Sequence, residues 1–158
     1  VRVPDAQRYA INILENRLSE ILLLKRSPEA MLGANAWGFV GGHIEAGETP
    51  LHCSLREMRE ELGCEPKLTL LGQVGPVRDS FYGGKFEIHL FHYRWHEGKI
   101  VLNPEHCCYA WVSREDYHKY PVMDGIDEDL AYFNLWPQSY LNQDKLPKPR
   151  VSDCHISR

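Results

Sequence analysis

Gly42-His-Ile-Glu-Ala-Gly-Glu48-Thr-Pro-Leu-His-Cys-Ser-Leu-Arg56-Glu57-Met-Arg-Glu60-Glu61-Leu-Gly63-Cys64 carries more structural information than any other part of this chain. Thr49 suits a helix N-cap, Pro50 the first helical position and Gly63 the residue just past the end. Leu51, Leu55, Met58 and Leu62 recur at helical spacing and predict one apolar face. Glu57, Glu60 and Glu61 are three and four residues apart and cluster on another face. Like charges so placed weaken an isolated helix by roughly a few tenths of a kcal/mol per pair. Two readings compete at this point. One is a solvated acidic face softened by Arg56 and Arg59. The other is a site for a hard divalent cation, which turns carboxylate repulsion into attraction. Gly41-Gly42 and Gly47 permit a tight backbone path that folds the preceding loop over the helix start and brings Glu48 alongside.

The stretch resembles the Nudix box, G-x5-E-x7-R-E-U-x-E-E-x-G-U with U a bulky apolar residue. Gly42, Glu48, Arg56, Glu57, Glu60, Glu61 and Gly63 fill the fixed positions, Met58 the first apolar slot and Cys64, smaller than usual, the last. The resemblance implies an α/β fold, a Nudix-type α/β/α sandwich around a mixed β-sheet. It implies Glu57 and Glu61 as principal metal ligands, Glu60 sharing or bridging, and the Gly41 carbonyl as a further ligand. Arg56 is expected to orient the carboxylates, Glu48 to buttress them, and Gly42 and Gly63 to shape the backbone. The implied cofactor is Mg2+, with Mn2+ able to substitute. Family members also place a glutamate six residues before a tryptophan, and Glu105 stands so before Trp111. Glu105 is the candidate metal ligand or general base, and His106 a candidate for proton transfer that is expected to be an exposed loop residue.

The rest of the chain is consistent with one domain over residues 1–158, with about 1–6 and 143–158 as loose termini. Hydrophobic content of 43% and charged content of 25% are ordinary for a globular protein. A net charge of −4 argues against a broad nucleic-acid-binding surface and a stable nucleic-acid complex. No apolar run is long enough for a membrane span and no signal-peptide pattern opens the chain. Five cysteines without a C-x-x-C pair, two of them adjacent at Cys107-Cys108, suggest reduced thiols and a cytoplasmic setting.

Strands are expected at 8–14, 20–26, 67–74, 86–95, 99–102 and 109–112, with 21–24 apolar enough to be buried on both faces. Gly75, Pro76, Gly83 and Gly84 predict a loop over 75–84. Ser113 to Asp116 resembles an N-cap with an acidic first turn, and 126–135 a final helix stopped by Pro137.

For the substrate, Arg26 at a strand end is a candidate phosphate contact and Trp37 a candidate stacking platform beside the site. Tyr82 stands where members acting on dinucleoside polyphosphates often have a tyrosine. Phe81, Phe91, Tyr93, Trp95 and Trp136 are further aromatic groups, most of them expected in the core. The function the resemblance implies is metal-dependent hydrolysis of a nucleoside diphosphate linked to a moiety X, a small-molecule nucleotide. Nucleoside triphosphates, dinucleoside polyphosphates and nucleotide sugars all fit. The alternatives are a nucleotide-sensing domain without catalysis and an isoprenyl diphosphate isomerase-like enzyme. A homodimer fits the habits of the family.

Overall fold

The computed structural model describes residues 7–147. Of the expected loose ends at 1–6 and 143–158, residues 1–6 and 148–158 lie outside the described residues. Seven strands and two helices run in the order β1 Gln7–Glu15, β2 Ile21–Arg26, β3 Trp37–Gly38, β4 Val40–His43, α1 Pro50–Leu62, β5 Lys67–Arg78, β6 Phe86–Glu97, β7 His106–Val112 and α2 Ile126–Phe133. The sheet follows the order β3-β2-β1-β6-β5, with β4 pairing β1 and β7 pairing β2. The β1–β6 pair is parallel, and β1–β4, β2–β7 and β5–β6 are antiparallel, so the sheet is mixed.

Side chains alternate across the sheet and build two cores. Ala10 and Leu14 of β1 with Leu22 and Leu24 of β2 face α1, meeting Cys53, Met58 and Leu62. Ile13, Ile21 and Leu23 face the other way, toward Tyr117, Ile126 and Leu130. This is the expected α/β/α sandwich, and β2 is buried on both sides.

Helix α1 is capped as its sequence suggests. The Thr49 hydroxyl accepts from the His52 N–H at 3.1 Å, and Gly63 closes the helix at φ 66° with its N–H on the Arg59 carbonyl. Its buried face keeps only half of the expected stripe, Met58 and Leu62. Leu51 and Leu55 are 42% and 38% exposed, while Cys53, Ser54, Met58, Glu61 and Leu62 are buried. A polar network turns the helix this way. Ser54 hydrogen-bonds Asn12 of β1 and reaches the Tyr93 hydroxyl of β6 at 2.7 Å, and Asn12 Nδ2 donates to the Ser54 carbonyl at 3.2 Å. Buried polar groups satisfied on one another fix a single orientation, and this one directs Glu61 inward.

Several boundaries depart from the sequence reading. Strand β5 continues through Gly75-Pro76 to Arg78 because it lies at the sheet edge and the pair falls in an irregularity between Val74 and Val77. An edge tolerates the missing proline donor. Residues 99–102 form no strand; they pack beside α1, where the Val101 N–H meets the Leu62 carbonyl at 2.8 Å. The acidic turn after Ser113 leads into a 3-10 turn, Tyr117–Lys119, instead of an α-helix. Helix α2 stops at Asn134 in the left-handed conformation, before Pro137 is reached. The packed chain extends past 142: Gln143–Lys145 form a 3-10 turn and Leu146 packs on the second core.

Candidate active site

Helix α1 and strand β4 meet at Arg56. Its Nε and Nη2 grip Glu48 at 2.6 and 3.0 Å, a bidentate pair, and Nη2 also donates to the His43 carbonyl at 2.9 Å. Nη1 reaches Glu57 at 2.8 Å and Glu60 at 3.2 Å. One planar guanidinium thus ties the loop carboxylate to two helix carboxylates. Arg56 holds Glu48 down to about 2, with the Glu45 N–H second.

That depression sets the sign of a pH effect. A carboxyl held below its ordinary 4.5 in the folded state contributes stability that is present above that value and lost as pH falls toward about 2. The wild-type Tm is therefore expected to fall across this window. Glu48→Gln should start lower at neutral pH and lose less on acidification, which a Tm series from pH 7 to 2 measures.

Glu57 and Glu61 stand one turn apart. The Glu57 carboxyl rests against Gly42, where an added Cβ would lie 2.3 Å from it. Glu61 is 3% exposed, and its Oε1 accepts the Gly41 N–H at 2.7 Å. Burial, then the nearby charges of Glu57 and Glu105, push Glu61 well above the ordinary carboxylate range against the pull of that N–H. Burial raises Glu57 as well, with Arg56 opposing it. Glu60 is the exposed member, held beside Arg56.

Glu105 comes from the loop before β7, anchored by its carbonyl on the Ser27 N–H at 2.9 Å. One ligand atom each of Glu61, Glu105 and His106 lie within 4.8 Å of one another. His106 is not the exposed loop residue expected from sequence. It is 5% exposed, with Nδ1 3.5 Å from Glu61 Oε2. The cause is a register irregularity in the β2–β7 pairing, where His106 pairs with Arg26 and Cys108 with Lys25, leaving Cys107 over. A bulge breaks alternation and re-aims side chains; here it turns His106 inward and leaves Cys107 and Cys108 both exposed.

Beside these groups opens a cavity of about 350 Å³. Gly41, Gly42 and His106 form part of its wall, with Arg26, Phe81, Tyr82, Met123 and Asp129 among the other lining residues. Arg26 donates from Nε to the Leu32 carbonyl at 2.7 Å, and the Tyr82 hydroxyl to the Asp124 carbonyl at 3.1 Å. Asp79 pins the loop that carries Phe81 and Tyr82, accepting the N–H groups of Tyr82, Gly84 and Phe86. Trp37 does not line the cavity; its ring packs edge-on against Tyr120 at 5.0 Å. Phe91, Tyr93, Trp95 and Trp136 are core residues. The contributions of Met123 and Asp129 were not legible from sequence, since neither stands in a motif.

A family model described as NUDIX domain matches residues 5–132. The chain belongs to the Nudix family. Among its relatives, the CTP pyrophosphohydrolase of Escherichia coli (strain K12) is 31% identical over 101 residues, 64% of this chain and 73% of that protein. The asymmetrical bis(5'-nucleosyl)-tetraphosphatase of Mus musculus is 33% identical over 116 residues, 70% and 75% of the two chains. The 8-oxo-dGTP diphosphatase of E. coli (strain K12) is 41% identical over 60 residues; that match spans 38% of this chain and 46% of the relative, under half its length. The crystal structure of the MutT protein from Methanosarcina mazei Go1 shares the fold, with TM-score 0.64 at 22% identity over 84% of this chain and 96% of that one. Among the described residues no helix is long and apolar enough to cross a membrane.

Proposed function

We propose that this Nudix chain is a pyrophosphohydrolase that uses a divalent cation, Mg2+ or Mn2+, to cleave a phosphoanhydride bond in a nucleoside diphosphate linked to a moiety X. The products are a nucleoside monophosphate and phosphorylated X or pyrophosphate. The observation that carries this reading is the grouping of Glu61, Glu105 and His106 within 4.8 Å of one another, with the Glu57 carboxyl against Gly42, beside a cavity of about 350 Å³ whose wall includes Gly41, Gly42 and His106. The donor set fits a cation. Glu61 is buried among like charges that raise its pKa, and Gly42 leaves the room that Glu57 occupies. Glu57, Glu60, Glu61 and the Gly41 carbonyl would hold it, with Glu105 beside them. When bound, such an ion neutralises phosphate charge and lowers the pKa of a water.

The protein's own part is positional and electrostatic. Arg56 fixes the rotamers of Glu48 and Glu57 and steadies Glu60, so the carboxylates are aligned before substrate arrives. The Gly41 N–H holds one oxygen of Glu61 and leaves the other toward His106. Glu105, on the loop, is the general base that takes the proton of the attacking water with one carboxylate oxygen, which leaves the other able to serve as a ligand. Arg26 and Tyr82 meet the nucleotide in the cavity, and Phe81 offers it an apolar face. The named activities of the relatives support nucleoside triphosphates and dinucleoside polyphosphates as X-linked substrates ahead of nucleotide sugars. The four free thiols among the described cysteines suit a reducing, cytoplasmic setting.

A panel of these three substrate classes, assayed with Mg2+ and with chelator, tests the proposal. Turnover is expected with the metal alone, releasing a nucleoside monophosphate. Glu105→Gln should lower kcat by about 10²-fold or more and flatten the acid limb of its pH profile. No turnover of any class would overturn the function; an unchanged profile would remove Glu105 as the base.

A further inference from the structure

Carboxylates and waters suffice for Mg2+, a hard ion that is usually bound through oxygen. The site contains one group that this chemistry leaves unused. His106 Nδ1 is sealed from solvent and has no hydrogen-bond partner among the described residues. Its side chain is 2% exposed, and the Glu61 side chain it faces is 4% exposed. The Nδ1–Oε2 separation is 3.5 Å, beyond a good hydrogen bond. A buried polar atom left unpaired costs free energy, so a partner of some kind is expected there.

The separation suits two ligands of one ion. Bonds of about 2.1 Å place neighbouring ligand atoms about 3.0 Å apart in an octahedron and about 3.4 Å in a tetrahedron. Glu105 supplies a third donor, its ligand atom lying within 4.8 Å of the other two. The bulge that leaves Cys107 unpaired in the β2–β7 register is what turns the imidazole to this point.

We propose that His106 binds metal through Nδ1, forming with Glu61 and Glu105 a mixed nitrogen–oxygen site that favours a transition-metal ion of the Mn2+ or Co2+ type over Mg2+. The inference rests on the reading that these carboxylates hold a cation, and adds to it which cation is preferred. Imidazole nitrogen raises affinity for transition-metal ions along the series from Mn2+ to Co2+ and gives Mg2+ little. The expected order of affinity is therefore Co2+, then Mn2+, then Mg2+.

The test is metal binding to this chain, read without turnover. Calorimetric titration of Mg2+, Mn2+ and Co2+ into wild type and His106→Leu should show Mn2+ and Co2+ weakened about tenfold or more in the variant. Mg2+ should change by less than about threefold, because it gains little from a nitrogen donor. Electron spin echo spectra of the Mn2+-loaded wild type should carry nitrogen modulation from an imidazole, which His106→Leu removes. The Tm of the metal-free variant separates a ligand from a structural partner of Glu61: the proposal expects it unchanged or higher, since the buried unpaired nitrogen is gone. Modulation absent from wild type, or equal losses for all three ions, would overturn the proposal. If Mn2+ binds without nitrogen coupling and nucleotides are still hydrolysed, His106 falls while the hydrolase reading stands. If nitrogen coupling appears and no nucleotide turns over, the outcome is the reverse.

Discussion

Glu61→Gln is expected to lower kcat/KM by about 10² to 10³-fold, the scale on which removal of a group positioned for charge stabilisation acts. The side chain keeps its shape and can still accept the Gly41 N–H, which Glu61 now does at 2.7 Å. What goes is the negative charge in the most buried part of the site. The same change should not unfold the protein. Burial and neighbouring charge already push this carboxyl well above its ordinary range, so an uncharged amide relieves a cost. The expected pair of results is a metal-free Tm equal to or above that of wild type and a metal affinity well below it. A variant that kept its rate would take Glu61 out of the chemistry.

Gly42→Ala is expected to cost about 10²-fold in kcat/KM with only a small fall in Tm. A Cβ at this position would lie 2.3 Å from both the carboxyl carbon and Oε1 of Glu57. No atom can remain there, so the carboxylate must swing away, breaking its 2.8 Å contact with Arg56. The end of a glutamate side chain moves cheaply; its place in the site is what is lost. Gly41→Ala makes the contrast. Its Cβ would stand 2.5 Å from the backbone carbonyl of Ala10 in the neighbouring strand. Backbone cannot yield as a carboxylate can, so that variant should lose several degrees of Tm or fail to fold. Kinetics and thermal melts of the two alanine variants together separate space needed for chemistry from space needed for the sheet.

These contrasts show what a linear reading can and cannot reach. Thr49, Pro50 and Gly63 announced α1 because capping is local chemistry, satisfied within a turn. The sandwich was implied by the family resemblance, while the apolar run Ile21 to Leu24 announced only that β2 is buried on both faces, as it is. The buried face of α1 was another matter. Leu51 and Leu55 have the spacing of a core stripe, yet the helix is rotated by Ser54, Asn12 and Tyr93, residues distant in sequence that satisfy one another's polar atoms. Hydrophobic periodicity contains no term for that network. His106 was misjudged for a related reason. Its burial comes from a bulge in the β2–β7 pairing, a property of two strands in register and of neither alone. The cavity wall at Met123 and Asp129 likewise forms only when α2 and the residues before it close over the 79–86 loop. Motif spacing located the acidic helix; tertiary packing decided what surrounds it.

The exposed position of Glu60 and the buried one of Glu61 divide the box carboxylates by task. Glu60 sits where Arg56 can steady it from the rim, while Glu57 lies against Gly42 and Glu61 is buried beside His106. Placement of a cation among them is the claim on which the function rests. Anomalous diffraction from crystals of the protein soaked in Mn2+ tests it most directly. The expected result is a peak at the Glu61 carboxylate, among Glu57, Glu105 and His106. A peak elsewhere, in crystals that still convert a nucleotide to its monophosphate, would contradict it.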